Sequence, residues 1–337
     1  MTTKKDIESA LMRGADTLRD TIDAANYKDY VLPVMFVKYL SDSYTDAVEE
    51  LSKQYSGIRL ERQKKYLPFM VAEGCSFYDL YQQRFADNIG QLMNAAMRQI
   101  EADNNQQLAG VLSAVDYNSE NALGTREHKN AILRDLLEDF EPLDLRPSAI
   151  EVKEGQVPAD VIGDAYEYMI GQFASMAGKK AGSFYTPAAV SEIMARIVDV
   201  QPGERVYDPT CGSGSLLIKA AKKQNSKEVS IYGQEVNGSS VAMAKMNMYI
   251  HEIRDAKIGW GDTLANPVFL DADGNLLLFD AIVANMPFSK DKWASGFNPG
   301  GESSGKGKKE FKMEASLDKF HRFDWGVPPA SKGDWAF

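Results

Sequence analysis

The stretch Val206-Tyr-Asp-Pro-Thr-Cys-Gly-Ser-Gly-Ser215 decides the fold. It begins as a short apolar strand, ends that strand near an acidic residue, and passes through two glycines into a segment typical of a helix. Glycines let the backbone approach a ligand closely, and the first turn of the helix offers unpaired N–H groups to an anion. The stretch therefore predicts a turn that holds a small polar ligand; a tight strand-to-helix turn with no ligand is the alternative.

Short apolar strands alternate with helices on both sides of this stretch. We expect helices at about 213–224 and 238–252, and strands at Arg205–Tyr207, Ser230–Gln234, Lys257–Trp260 and Phe279–Ala284. This order predicts an α/β fold with a doubly wound, mostly parallel sheet, in which ligands lie at the carboxyl ends of the strands. A preceding helix, begun by Thr186 and Pro187, is expected to bury Val190, Ile193, Met194, Ile197 and Val198.

The residues that end these strands indicate the kind of ligand. Asp208 suits an ammonium group, while Gly212, Gly214 and the helix start suit a carboxylate, so a zwitterionic amino-acid tail fits better than a pyrophosphate. The phosphate-binding alternatives fail, because no Gly-Lys-Ser/Thr follows and the third glycine of a dinucleotide motif is replaced by a leucine. Glu235 is placed to bind ribose hydroxyls and Asp262 an adenine amino group, although either is also typical of a helix cap or loop acid.

Asn285-Met-Pro-Phe288 follows the last expected strand and is the sharpest chemical signal. An aromatic amine is a poor nucleophile until its lone pair is freed from the ring. The Asn285 amide oxygen and the Met286 carbonyl can each accept one amine hydrogen, and Phe288 can stack on the ring, as a flipped nucleobase requires. Together with the turn at Asp208, this motif predicts methyl transfer from S-adenosylmethionine to an exocyclic nitrogen.

Composition limits the setting in which this chemistry occurs. The chain has 38 Lys+Arg against 48 Asp+Glu, a net charge of −10, so either nucleic acid is not the substrate or a partner supplies most phosphate contacts. Cys75 and Cys211 are far apart and indicate a reducing compartment without disulfides. No secretory signal pattern and no membrane span stand out, so we expect a cytoplasmic protein. His128, His251 and His321 lack ligand spacing, and we assign no metal.

Three regions divide the chain. Residues 1–140 show apolar residues at helical spacing and are expected to form a helical domain for interaction or substrate clamping. Residues 141–158 are rich in proline and charge and are expected to be a linker, and residues 159–337 the catalytic domain. Lysines between Ser295 and Lys312 suggest either a mobile loop over DNA phosphates or a solvated loop.

In these motifs and their order, the chain resembles the modification subunit of type I restriction-modification systems, the N6-adenine DNA methyltransferase family of the γ class. The resemblance implies a Rossmann-like methyltransferase fold behind a helical N-terminal domain that helps embrace DNA. It implies S-adenosylmethionine as cofactor and double-stranded DNA with a flipped adenine as substrate. It also implies a specificity subunit, a motor or restriction subunit, and a second copy of the modification subunit as partners.

The resemblance also assigns roles to residues. It adds Phe184, Tyr185 and Thr186, in the motif Gly182-Ser-Phe-Tyr-Thr-Pro187, beside the methionine end of the cofactor. The cofactor-side residues are then Phe184, Tyr185, Thr186, Asp208, Gly212, Gly214, Glu235 and Asp262, and the target-side residues are Asn285, Met286, Pro287 and Phe288.

Two features depart from the family pattern. Met286 stands where the family has proline. The catalytic group at this position is a backbone carbonyl, and Pro287 still favours extended geometry at Met286, so we expect the substitution to be tolerated. The chain ends about 50 residues after Asn285, whereas a complete sheet needs about three more strands, so we expect a C-terminally incomplete methyltransferase domain. The alternatives kept open are a protein glutamine-amide methyltransferase and a cofactor-binding scaffold without turnover.

Overall fold

The computed structural model describes residues 1–178, 185–222, 228–288, 290–298 and 311–337, without the side chains of residues 105 and 106. Two compact units are present. One comprises residues 1–178 together with Lys245–Arg254, and the other comprises the described residues from 185 to Ala244 and from Asp255 to Phe337. We call them the helical unit and the sheet unit.

Nine helices lie within residues 1–178 of the helical unit. They are α1 (Lys4–Thr17), α2 (Tyr27–Ser52), α3 (Gly57–Lys64), α4 (Phe77–Gln82), α5 (Ile89–Asp103), α6 (Asn105–Leu108), α7 (Glu120–Leu123), α8 (Arg126–Phe140) and α9 (Pro158–Ala177). Short 3₁₀ turns at Ala24–Asn26 and Pro147–Ala149 join them. Helix α1 begins at a capping box, in which the Thr3 hydroxyl accepts from the Asp6 N–H and the Asp6 carboxylate accepts from the Thr3 N–H.

The core of the helical unit forms where α1 packs against α8 and α9. Its first helix buries Ile7 and Leu11 completely, as the helical spacing of apolar residues predicts. Helix α9 also contacts α2 and therefore belongs to this unit. The expected domains, by contrast, place residues 159–177 at the start of the catalytic domain.

The sheet unit contains helices α10 (Ala188–Val198), α11 (Ser215–Lys222) and α12 (Gly238–Ile250), the last of which runs into the Lys245–Arg254 segment of the helical unit. Its strands are β1 (Arg205–Asp208), β2 (Ser230–Glu235), β3 (Lys257–Trp260) and β4 (Ala281–Ile282). They form one parallel sheet in the order β3-β2-β1-β4. The predicted doubly wound α/β fold is therefore confirmed.

This strand order fixes where a ligand binds. The chain moves outward from β1 through β2 to β3 and then returns to β4 on the other side of β1. The connections on the two sides of β1 therefore diverge at the carboxyl ends of β1 and β4, and doubly wound sheets bind ligands in the crevice that this divergence opens. Asp208 ends β1, and Asn285 follows β4 by three residues.

Several expected boundaries shift. Strands β1 and β2 each include the acid that ends them, Asp208 and Glu235, and β4 is shorter than the expected Phe279–Ala284.

The buried stripe expected on α10 is wrong: Val190, Ile193 and Ile197 are exposed, the last at 76%. Helix α10 instead packs on α11 and buries its small residues Ser191 and Ala195. Periodicity identified the apolar face correctly, but it does not determine whether that face is covered.

The residues after β4 pack back onto the loop that follows β3. Leu264 from that loop forms an apolar cluster with Trp293, Ala294, Met313 and Phe323. The indole N–H of Trp293 donates to the Pro329 carbonyl at 3.0 Å. These contacts hold residues 290–298 and 311–337 against the carboxyl end of β3.

Candidate active site

The glycine turn after β1 has the conformation that its sequence predicts. Gly212 and Gly214 have φ angles of 52° and 76°, in the left-handed region that side chains disfavour. The Gly214 N–H donates to the Cys211 carbonyl at 2.7 Å, and its own carbonyl accepts from Ile218 at 3.0 Å, which starts the ladder of α11. The turn thus brings backbone N–H groups and a helix start to the end of β1.

Asp208 lies at the base of this turn and is almost fully buried. Its carboxylate accepts from the Thr210 N–H at 2.9 Å. Burial, reinforced by the charge of Glu235, raises the pKa of Asp208 to about 7. A cation bound beside Asp208 would stabilise its buried negative charge, so the residue is suited to an ammonium group.

Glu235 connects the end of β2 to the glycine turn. Its two carboxylate oxygens accept from the N–H groups of Gly212, at 3.1 Å, and Asn237, at 2.8 Å. Burial raises the pKa of Glu235 as well. Because each carboxylate oxygen has two acceptor sites, these bonds orient the group and still leave capacity for hydroxyl donors.

Asp262 follows β3 and organises the next turn. One of its oxygens accepts from the N–H groups of Leu264, at 3.0 Å, and Ala265, at 3.3 Å. Its other oxygen faces Gly296, where a Cβ would stand only 3.2 Å away. Within the turn, the Thr263 hydroxyl donates to the Pro209 carbonyl at 2.5 Å, which joins this turn to the turn after β1.

On the target side, the Asn285 amide donates from Nδ2 to the Thr186 hydroxyl at 3.1 Å. This bond spans 99 residues and brings Thr186 of the upstream motif to the end of β4. Met286 and Pro287 are half-buried, whereas the Phe288 ring is 77% exposed. Tyr185 is described and half-buried, but Phe184 lies outside the described residues, as do residues 299–310 of the lysine-rich segment.

Cys211 is a packing residue in this turn. Burial raises the pKa of its thiol well above the ordinary value, which disfavours the thiolate that a nucleophile needs. A Cβ at Gly233 on β2 would stand 2.9 Å from the Cys211 sulfur, so the thiol fills the space that this glycine leaves.

Sequence reasoning missed Gln234, which is fully buried next to Glu235. Its amide nitrogen Nε2 donates to the carbonyls of Gly261 and Asn266, and its amide oxygen Oε1 accepts from the Val268 N–H at 3.1 Å. These bonds fix the whole 261–268 segment to β2. A polar residue in the interior of a buried strand was the available signal.

The fold and the site define a doubly wound α/β protein of the methyltransferase type. The family model described as N-6 DNA Methylase matches residues 157–337, and the model of the HsdM N-terminal domain matches residues 7–140. The chain therefore belongs to the N-6 DNA methylase family. This finding confirms the resemblance.

Named relatives agree with this assignment. The MjaVIII methylase subunit of a type I restriction enzyme from Methanocaldococcus jannaschii is 29% identical over 97% of this chain and 53% of its own length. The MpnII methylase subunit from Mycoplasma pneumoniae is 29% identical over 84% of this chain and 58% of its own. The chain thus spans about half the length of the curated relatives it matches.

A solved structure extends the comparison to the fold. The crystal structure of the type I restriction-modification methyltransferase subunit from Streptococcus thermophilus superposes with a TM-score of 0.71 at 28% identity, covering 99% of this chain and 70% of that one. In the part of the chain that the structure describes, no helix is both long and apolar enough to cross a membrane.

Proposed function

We propose that this chain is the modification subunit of a type I restriction-modification complex and transfers a methyl group from S-adenosylmethionine to N6 of adenine in DNA. The observation that carries the proposal is the convergence of Asp208, Glu235 and Asn285 at the carboxyl edge of the sheet, where β1 and β4 diverge. The N-6 DNA methylase match over residues 157–337 supports the same reaction. The matched families do not favour the protein-amide alternative.

The residues present fit the cofactor. A buried carboxylate at Asp208, with its raised pKa, suits the cofactor's ammonium group, and the glycine turn with the start of α11 suits its carboxylate. Glu235 would hold the ribose hydroxyls and Asp262 the adenine amino group. Tyr185 and Thr186, with Phe184 beside them in the sequence, would border the methionine end. When bound, S-adenosylmethionine supplies an electrophilic methyl group on a sulfonium.

The chain's own contribution is to prepare the target amine. Because the Asn285 Nδ2 donates to Thr186, the side-chain oxygen of Asn285 is the atom oriented to accept an amine hydrogen. The Met286 carbonyl accepts the second hydrogen, which shifts the nitrogen lone pair away from the ring. The exposed Phe288 ring stacks on the flipped base and offsets part of the cost of unstacking it.

The helical unit would contribute contacts to the DNA backbone through helix α3. No residue of α3 is buried, and Arg59, Arg62 and the C-cap residue Lys65 lie on one face with Ile58 and with Tyr66, which follows the cap. These three cations are exposed, and none has a carboxylate of the described residues within salt-bridge distance. They span about 9 Å along the helix axis, which lies between the roughly 7 Å and 10 Å of duplex axis covered by three and by four successive phosphates of one strand.

Partner subunits would complete the assembly. The chain is acidic overall, at −10, so a separate specificity subunit would supply sequence recognition and most of the phosphate contacts, and a motor or restriction subunit would cleave DNA. One solved neighbour, with 18% identity, is described by its complex assembly within a type I system.

Transfer of labelled methyl from S-adenosylmethionine to DNA tests the proposal. The chain is co-expressed with its genomic neighbours and compared with the Asn285→Ala variant. Label recovered as N6-methyladenine, and lost in the variant, is the expected result. Label on protein with none on DNA would favour glutamine-amide methylation, and bound cofactor with no transfer to either would favour a scaffold.

A further inference from the structure

Arg322 is distant in the sequence from every motif, but it contacts the turn that carries Asp262. Its guanidinium donates to the carbonyl oxygens of two consecutive residues, Thr263 at 3.2 Å and Leu264. These carbonyls belong to the same turn whose N–H groups bind the Asp262 carboxylate. Arg322 therefore binds the carbonyl groups of the turn, while the Asp262 carboxylate binds its N–H groups.

Asp318 holds Arg322 in place. The carboxylate contacts the guanidinium at 2.9 Å and 3.1 Å and also accepts from the Arg322 N–H at 2.7 Å. Its side chain is only 1% exposed, and burial alone would raise its pKa, but the hydrogen bonds from Arg322 outweigh that effect and keep the pKa below its ordinary value. A buried, multiply bonded carboxylate leaves the guanidinium little freedom, which makes the grip on the turn rigid.

The turn that Arg322 grips also contacts the cofactor side of the site. The Thr263 hydroxyl donates to the Pro209 carbonyl, one residue after Asp208. On its other side, Leu264 is packed in the apolar cluster with Trp293 and Phe323. Apolar packing holds the segment in place without direction, whereas the two carbonyl bonds from Arg322 set the orientation of the peptide planes.

We infer that Arg322 is a positioning residue for the cofactor: held by Asp318, it sets the turn 262–265 and thereby aims Asp262 at the adenine amino group. The inference rests on the proposed function of the site, because it assumes an adenine-bearing cofactor. Recognition of the cofactor's adenine would then require residues 318–322, which follow the target motif in the chain.

Ligand discrimination tests this role more sharply than activity does. Binding of S-adenosylhomocysteine is measured by calorimetry beside S-inosylhomocysteine, which carries a carbonyl in place of the adenine amino group. The parent chain is expected to prefer the adenine ligand by about tenfold or more, since a site with a well-placed acceptor rejects an analogue that lacks the donor. In Arg322→Gln this preference is expected to shrink to about twofold, with weaker binding of the adenine ligand and little change for the inosine ligand.

Controls separate positioning from a general loss of structure. Arg196→Gln removes an exposed arginine of the same unit, whose ion-pair partner is Glu192, and is expected to keep the parent preference. Arg322→Lys and Asp318→Asn are milder changes, expected to give intermediate preferences, and either substitutes if Arg322→Gln does not fold. Asp262→Asn is expected to lose the preference, with no further loss when Arg322→Gln is added.

The outcomes are distinguishable. An unchanged preference in folded Arg322→Gln, beside a loss in Asp262→Asn, would overturn the positioning role and leave the proposed function intact. Equal weakening for both ligands would also overturn it, because that result indicates a structural role only. A parent chain that binds neither ligand would contradict the cofactor assignment itself.

Discussion

The Asn285 amide and the Thr186 hydroxyl, 99 residues apart in the chain, meet at 3.1 Å at the end of β4. A side-chain amide has one donor end and one acceptor end, so a donor bond at Nδ2 decides which way the oxygen points. Under the proposed function, Thr186 therefore selects the orientation of Asn285 in which the amide oxygen can accept a hydrogen from the target amine.

Replacing Thr186 by valine tests this orientation. The change keeps the side-chain shape but removes the acceptor, so the amide loses a net hydrogen bond of about 0.5–1.5 kcal/mol and rotates more freely. We expect kcat for methyl transfer to fall about 3- to 10-fold, with the Kd for S-adenosylhomocysteine changed less than twofold.

Thr186→Ser is the matched control, since it retains the hydroxyl. Its kcat is expected to stay within about twofold of the parent. An unchanged kcat in Thr186→Val, or a loss in Thr186→Ser as large as in Thr186→Val, would contradict the orienting role of the hydrogen bond.

Cofactor binding is expected to depend on pH through Asp208. The pKa of Asp208 is raised to about 7 by burial, so the carboxyl is largely neutral below that pH and cannot pair with an ammonium group. The affinity is therefore present above pH 7 and is lost as the pH falls through 7. The Kd for S-adenosylhomocysteine should be about tenfold higher at pH 6 than at pH 8, by calorimetry.

The Asp208→Asn variant identifies the group responsible. Its affinity should be low at both pH values, with most of the dependence gone. Glu235, whose pKa is also raised, is the nearest other carboxylate in the turn, and a dependence that persists in Asp208→Asn would assign the titration to Glu235 instead.

Stability of the helical unit is expected to depend on a buried ion pair between α2 residues Lys38 and Asp42. The ammonium contacts the two carboxylate oxygens at 2.8 Å and 2.6 Å, and neither side chain is exposed. Asp42 also accepts from the Leu145 N–H at 2.6 Å, which ties α2 to the segment after α8. Asp42→Asn would leave Lys38 buried without a counter-charge and should cost about 3–5 kcal/mol.

The chain offers a convenient internal control for that measurement. All four tryptophans, at 260, 293, 325 and 335, belong to the sheet unit, whereas most helix lies in the helical unit. In urea, the circular dichroism transition should shift to a lower urea concentration, while the tryptophan fluorescence transition keeps its midpoint. The double variant Lys38→Met with Asp42→Leu should lose less stability than Asp42→Asn, and a larger loss would contradict the ion-pair argument.

The sequence predicted the sheet because its signals are local. Apolar runs that end in Asp208 and Glu235 mark both the strands and their carboxyl ends, and the alternation with helices implies parallel pairing. The same reasoning placed Asn285 at the end of the last strand. The positions of these side chains follow from strand geometry, which a single sequence contains.

The remaining features depend on contacts that no local pattern encodes. Arg322 reaches Thr263 across 59 residues, and Gln234 reaches Asn266 across 32. The exposed face of α10 is the second case. The apolar stripe at Ile193 and Ile197 identifies an apolar face of the helix, but it does not determine which residues, if any, cover that face. Both cases require tertiary information that propensity and periodicity do not carry.

The basic face of α3 should contribute to DNA binding in a way that salt reveals. Arg59, Arg62 and Lys65 repel one another at helical spacing, and their mutual repulsion would be relieved by phosphates. Each lysine or arginine contact to a phosphate adds about 0.9 to the slope of log K against log salt. Replacing all three by glutamine should therefore reduce that slope by about 2 to 3 for a random duplex, measured by fluorescence anisotropy between about 50 and 200 mM salt.

A control replaces Lys5, Arg98 and Lys153, three exposed cations dispersed over the helical unit, and makes the same change in net charge. If both triple variants lower the slope equally, only the overall charge of the chain matters; if neither does, helix α3 does not contact DNA.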